Sequence, residues 1–396
     1  MPHASLCPEF RSWLAPFVRI LAWSHAFHVK WATDDVRQRW HLHLDRLATL
    51  VTDDGFCNSP VSADQPVPPS AVDLFKQIIQ ISGLPPESTA REFARSLKRK
   101  PRSDLATRSR SNQLAGPSAQ SDWAALAILR TSPSVRSDSL VLTWEQQRHQ
   151  LTLAARGYRV LAGPWDSRVS IDGTPVTNDT AWVCSCWFHD AEVSFAELER
   201  EIASGVRQVR HVLLSQNEHF AVLTDTVSAT PEAQIELQTT VSLKSGFRTE
   251  TNGVTRDVLL KDDKSAVRLI PAWLDDDRVI RPIGDLRHEP DQLQLQTTGI
   301  GGAALPLVLD WHPRRTSAPA DWNQLTVSEE RQKVGADSAA GYRVRNGDLQ
   351  LLIYRSLRPG KTLRAVLGHH TPAESVYARF RPTGGIAPLV TIENST

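Results

Sequence analysis

The hydrophobic period of this chain changes once, near Trp123, and that single change limits the folds open to it. Up to about residue 97 apolar side chains recur at three- and four-residue intervals, whereas beyond Trp123 they alternate in short runs parted by turn residues. A helical region followed by a long antiparallel β block satisfies both halves. A parallel α/β sheet does not, because no helix recurs regularly between the later runs.

The helical half predicts four helices. Phe10, Leu14, Phe17, Ile20 and Leu21 share one face, with Pro16 suited to a first turn, and Trp40, Leu44, Leu47, Leu50 and Val51 share another, stopping at Asp53-Asp54-Gly55 where glycine suits a C-cap. Residues 58–70 carry four prolines and read as a loop, after which 71–81 and 90–97 form two shorter helices. These helices have no evident closed core of their own. Residues 98–122, opening on Lys98-Arg99-Lys100-Pro101-Arg102 and rich in serine, read as a solvated basic linker.

From residue 123 to 396 the runs include Val141-Leu142-Thr143-Trp144, His149 to Leu153, Val169-Ser170-Ile171, His211 to Leu214 and Phe220 to Leu223, and they continue to about Leu367. So many short strands joined by turns predict one large antiparallel β-sandwich, with 192–204 as the one helix inside it. No repeat of fixed period appears, which disfavours a propeller or a solenoid. The expected organisation is therefore a helical region over 1–97, a linker over 98–122 and a sandwich over 123–396, an α+β multidomain chain.

Composition narrows the partners. With 45 Lys and Arg against 44 Asp and Glu among 396 residues, no overall field recommends nucleic acid, an anionic membrane or an acidic polymer, and any charge argument must be local. No segment reaches the roughly 18 apolar residues that span a bilayer. Residues 13–27 make a poor export signal, since Arg19 interrupts the apolar run and Glu9 offsets Arg11, so the expectation is a cytoplasmic chain, or an envelope one if its true N-terminus lies upstream. Cys7, Cys57, Cys184 and Cys186 form no disulfide framework.

Two short segments carry a family likeness. Gly157-Tyr158-Arg159-Val160-Leu161 and Val169-Ser170-Ile171-Asp172-Gly173, followed by the strand pair from Arg210-His211-Val212-Leu213-Leu214 to Phe220-Ala221-Val222-Leu223-Thr224-Asp225, resemble in order and spacing the sandwich of the heparinase II/III-like polysaccharide lyases. The likeness covers residues 140–227. It implies the closing helices of an α/α toroid ahead of the sandwich, an acidic polysaccharide as partner, and β-elimination as the chemistry.

That chemistry abstracts the proton α to a uronate carboxylate, which requires a base near neutrality and a group that neutralises the carboxylate. The family places its base on toroid helices, yet the helical part here contains no tyrosine, the first being Tyr158. His25, His28, His41 and His43 are present, and a histidine on an amphipathic helix is more often a boundary residue than a base. The resemblance also implies a zinc site, whose places are taken by the stretch Trp144 to His149, by Gly163 and by Asp166 or Ser167; His149 alone is a good ligand, so no metal and no cofactor is expected.

The remaining motifs read as structure. Cys184-Ser185-Cys186 in a strand puts its sulfurs about 7 Å apart, too far to bond, and reads as buried free thiols. Asp275-Asp276-Asp277 and Asp262-Asp263 read as turns, Gly299-Ile300-Gly301-Gly302 as a hairpin, and His369-His370 as a turn. Two readings result: a divergent lyase-like protein whose catalytic residues are degenerate or missing in this chain, or a non-catalytic carbohydrate-binding or scaffold sandwich. Substrate contacts are expected at His149, Trp165, Asp166 and Arg210; Trp165, Trp182 and Trp311 are candidate stacking platforms in the binding reading and otherwise ordinary core tryptophans.

Overall fold

The computed structural model describes residues 10–52, 55–56, 69–98, 117–145, 149–177, 180–263, 265–280, 282–360, 362–381 and 385–393. Packing divides the chain into two units, residues 1–164 and 165–396. The division falls inside the strand Tyr158–Ile171 rather than at the basic stretch 98–122, of which 99–116 lie outside the described residues.

In the first unit the four expected helices are α1 (Phe10–Ala26), α2 (Asp34–Ala48), α3 (Pro69–Ile81) and α4 (Thr89–Lys98). Thr33 caps α2, and Asp34 and Asp35 sit in its first turn, where negative charge suits the helix dipole. Two boundaries differ from expectation. Pro16 lies inside α1 instead of its first turn, and α2 ends at Ala48, before Asp53-Asp54-Gly55. The helix stops early because Leu50 and Val51 are drawn into the core and Val51–Thr52 pairs with Gly55–Phe56.

The helices bury Leu14, Leu21, Leu44, Leu47, Phe75, Ile78 and Phe93 together with Leu126, Ile128 and Val141 from the strands Leu126–Arg130 and Ser139–Thr143. They close no core without those strands. Arg130, fully buried, makes the junction: its guanidinium donates to the carbonyls of Thr49, Val51 and Ser134 at 2.6–2.9 Å, so carbonyls left over past the end of α2 are satisfied by a strand residue.

The hairpin from Gln150–Ala155 into the next strand turns on Arg156 and Gly157, both at positive φ, the geometry of a type I′ turn. In the second unit Asp172 and Gly173 repeat it, joining Ile171 to Thr174. The two segments that carry the family likeness are thus hairpin corners at the two ends of one strand.

The second unit is built on an antiparallel sheet ordered Arg248–Thr251, Val258–Lys261, Ala266–Pro271, Gly302–Asp310, Phe220–Ser228, Val206–Ser215, Val193–Ala203 and Val183–His189. Phe220–Ser228 and Gly302–Asp310 are buried at nearly every position, without alternation, which means that both faces of this sheet are covered. One cover is the sheet containing Gln234–Leu243, Gln292–Ile300 and Gly284–Glu289 beside the end of Tyr158–Ile171; the other contains Ala320–Leu325, Ala339–Asn346, Leu349–Ser356, Ser375–Phe380 and Ile386–Ile392. The expected antiparallel sandwich is present, with a third layer added.

Residues 192–204, expected as a helix, form the strand Val193–Ala203. Its Glu-Leu-Glu-Arg-Glu run favours helix locally, but the strand pairs along its whole length with Val206–Ser215 and on its other side with Val183–His189. Two ladders and burial of Val193 through Leu198 outweigh propensity. His369 and His370, expected in a turn, lie on the short strand His369–Thr371.

Candidate functional site

The strand Val206–Ser215 sends alternate side chains to opposite faces of the central sheet, and each face holds a polar cluster. Arg210 stands opposite Asp225 in the ladder, and His211 opposite both Thr224 and Glu197. Register therefore assembles both clusters.

On the first face Arg210 Nε donates to Asp225 Oδ1 at 2.8 Å and Nη1 to the Trp165 carbonyl at 2.7 Å. Asp225 Oδ2 accepts from Trp165 Nε1 and Thr239 Oγ1 at 3.0 and 2.7 Å. The Arg210 guanidinium lies 4.5 Å from the Trp165 ring centre and 4.8 Å from that of Trp182, and Arg200 lies 4.4 Å from Trp182. An alternating arginine and tryptophan stack results. Burial, helped by the charge of Arg210, brings the Arg200 pKa down to about 10.

On the opposite face His211 is enclosed. Its Nε2 lies 2.6 Å from Glu197 Oε2 and its Nδ1 2.8 Å from Tyr377 Oη, which also meets Thr224 Oγ1 at 3.2 Å. Arg355 Nη1 stands 3.2 Å from the same Nε2, and one nitrogen cannot both donate to Glu197 and accept from arginine. The shorter contact assigns Nε2–H to Glu197, so Tyr377 donates to Nδ1 and Arg355 Nη1 donates to Ser375 Oγ. Arg355 Nη2 pairs with Glu374 at 2.8 Å, and Glu374 with Arg207 at 2.5 Å.

Burial holds the His211 pKa below its ordinary 6.5, and the charge of Arg355 acts in the same direction. Burial pushes Glu197 up, but the hydrogen bond and charge of His211, the Ser185 hydroxyl and Arg355 outweigh it and bring that carboxyl to about 2. Burial raises Tyr377 well above a usual phenol. A neutral imidazole, an ionised carboxylate and a protonated phenol fill the pocket. Each proton is committed to an internal partner, so the cluster binds one sheet to another and offers no base to an outside ligand.

The expected contact residues fall in different environments. Trp165 and Arg210 are brought together, each about 1% exposed, while Asp166 on the next position is exposed and His149, in the first unit, is buried. Trp182 and Trp311 are buried as well, at 4% and 2%. None of the three tryptophans presents a ring face on which a sugar could stack, because their rings fill the interior. His211, Glu197 and Tyr377 were invisible as a group in the sequence: 14 and 166 positions separate the histidine from its partners.

Of the places that the family likeness gives to zinc, residues 146–148 lie outside the described residues. Gly163 has no side chain, and among the described residues no three His, Cys, Asp or Glu side chains converge as metal ligands. Cys184 and Cys186 form no disulfide and are half-buried on one strand, and burial, with the charge of Glu197, raises the Cys186 thiol, which keeps it protonated. No described helix is long and apolar enough to cross a membrane.

Helices followed by a layered antiparallel sandwich define the class of protein to which this chain is similar. No family model and no curated protein matches the sequence. Solved structures do: a heparan sulfate lyase HepC mutant from Pedobacter heparinus, with a TM-score of 0.56 at 11% identity over 89% of this chain and 58% of that one; a heparinase III with methylated lysines, at 0.58, 10%, 89% and 57%; and a further heparinase III, at 0.55, 10%, 88% and 59%. The protein has a heparinase-like fold, strongly divergent in sequence. It spans under two thirds of the length of the chains it matches.

Proposed function

We propose that this chain is a polysaccharide-lyase-related protein that binds an acidic polysaccharide through its sandwich, and that the groups described above do not carry out elimination. The observation that carries this reading is that the sandwich's interior imidazole and phenol are mutually satisfied partners. His211 and Tyr377 have the chemical types that proton abstraction uses, but both are buried, His211 donating to Glu197 and Tyr377 to His211. Of the four expected contact residues, Asp166 is the one at the surface, and as an anion it would hydrogen-bond sugar hydroxyls rather than carboxylates. Polymer binding would then depend on surface cations, weakening as salt rises.

Affinity electrophoresis of the full chain in gels containing heparan sulfate, hyaluronan or alginate tests the reading. Retardation by at least one acidic polymer, absent with neutral dextran and relieved by salt, is expected. Equal mobility in every gel would overturn it.

A further inference from the structure

A cavity of about 410 Å³ lies in the second unit, away from both polar clusters, and it falls within the roughly 300–1,000 Å³ range of small-ligand sites. The strand Gly284–Glu289 contributes Asp285, Leu286, Arg287, His288 and Glu289 to its lining. Val258 and Leu274 supply buried apolar surface, and Arg256, Arg278 and Thr251 complete the lining.

The charges here are unequally used. Arg287 pairs with Asp285 at 2.8 Å, and Glu289 accepts the amide of Gln294 at 2.9 Å. Arg256 and Arg278 bond only carbonyl oxygens: Arg256 reaches those of Asp277, Arg278 and Ile280, and Arg278 Nε reaches Asn252 and Thr255 at 2.7 and 2.8 Å. Each arginine thus pins the loop that carries the other. Neither has a carboxylate within ion-pair distance among the described residues, although Asp285 and Glu289 line the same cavity, so both guanidinium groups are unpaired and held in place by neutral carbonyls. His288 Nδ1 lies 3.0 Å from Thr249 Oγ1, and its Nε2 makes no hydrogen bond among the described residues. Two fixed guanidinium groups, one imidazole edge and the half-buried Leu286 side chain suit an oxyanion carried on a partly apolar ring.

We propose that this cavity binds the acidic group of a sugar, carboxylate or sulfate ester, with the sugar's C–H face on the partly exposed Leu286. The proposal rests on the acidic-polysaccharide reading and gives that reading a location. Arg278 is the principal charge contact, and His288 Nε2 hydrogen-bonds a ring hydroxyl.

Calorimetric titration of the full chain with glucuronic acid, glucose 6-sulfate, glucose and inorganic sulfate tests it, using wild type, Arg278→Gln and Leu286→Trp. The second variant fills the cavity without removing a charge, and a thermal melt of each confirms folding. Both acidic sugars should bind and glucose should not. Arg278→Gln should weaken them about tenfold or more, and Leu286→Trp should abolish binding. The preferred acid, carboxylate or sulfate, identifies the source of the anion, and sulfate binding as well as glucose 6-sulfate would overturn the sugar face. Acidic sugars that bind no better than glucose, or bind folded variants undiminished, would overturn the site. Polymer retardation that persists in both variants would remove the cavity and leave the glycan reading standing; acidic-sugar binding without polymer binding by wild type would do the reverse.

Discussion

His211 and Arg210 are neighbours in one strand, yet they face opposite layers and answer to different physics. The folded pKa of His211 lies below its ordinary 6.5, so the stability it contributes is complete above that pH and drains away as pH falls below it. Glu197 adds a second loss, beginning near the ordinary carboxyl value of 4.5 and running down to about 2. A melting-temperature profile of wild type should therefore decline in two stages on acidification, and His211→Gln should remove the upper stage while lowering stability at neutral pH by roughly 1–3 kcal/mol. An unchanged profile between pH 6.5 and 4.5 in the variant would contradict the assignment of a neutral, buried imidazole. On the other face, Arg210→Met leaves Asp225 buried without its cation and should cost roughly 3–5 kcal/mol in chemical denaturation. The double variant Arg210→Met with Asp225→Leu should cost less than the single one, because it removes the stranded charge too.

Among the elements, the corners of Tyr158–Ile171 separate fold from function most clearly. Gly157, at φ +88°, would place a Cβ 2.4 Å from the Val135 carbonyl oxygen, whereas Gly173, at φ +76°, faces open space. Gly157→Ala should thus cost roughly 3 kcal/mol or more, against about 1–2 kcal/mol for Gly173→Ala, where only the left-handed backbone is penalised; equilibrium urea unfolding of the two variants measures the gap. Both glycines were legible in the sequence because turn chemistry is local, and so were the four helices, whose period is carried within each segment. The strand Val193–Ala203 was not, since its identity depends on two ladders to other strands. The Glu197, His211 and Tyr377 cluster was hidden for the same reason: register across three strands assembles it, and no spacing along the chain records that register.

For the whole molecule, the heparinase-like fold and the internally satisfied Glu197, His211 and Tyr377 cluster point in different directions, and the structure explains how both can hold. A layered sandwich needs only its turns, ladders and buried clusters, all of which are present, and none of these requires an exposed base. The cavity lined by Arg256, Arg278 and His288 escaped the sequence reading because its residues come from two loops and a strand, each unremarkable alone. The most direct measurement is the ultraviolet absorbance of heparan sulfate, hyaluronan and alginate incubated with the purified chain, since β-elimination must leave an unsaturated, absorbing sugar. Polymer binding with no rise in absorbance is the predicted result; a rise in proportion to protein concentration would show that elimination proceeds and would contradict the account.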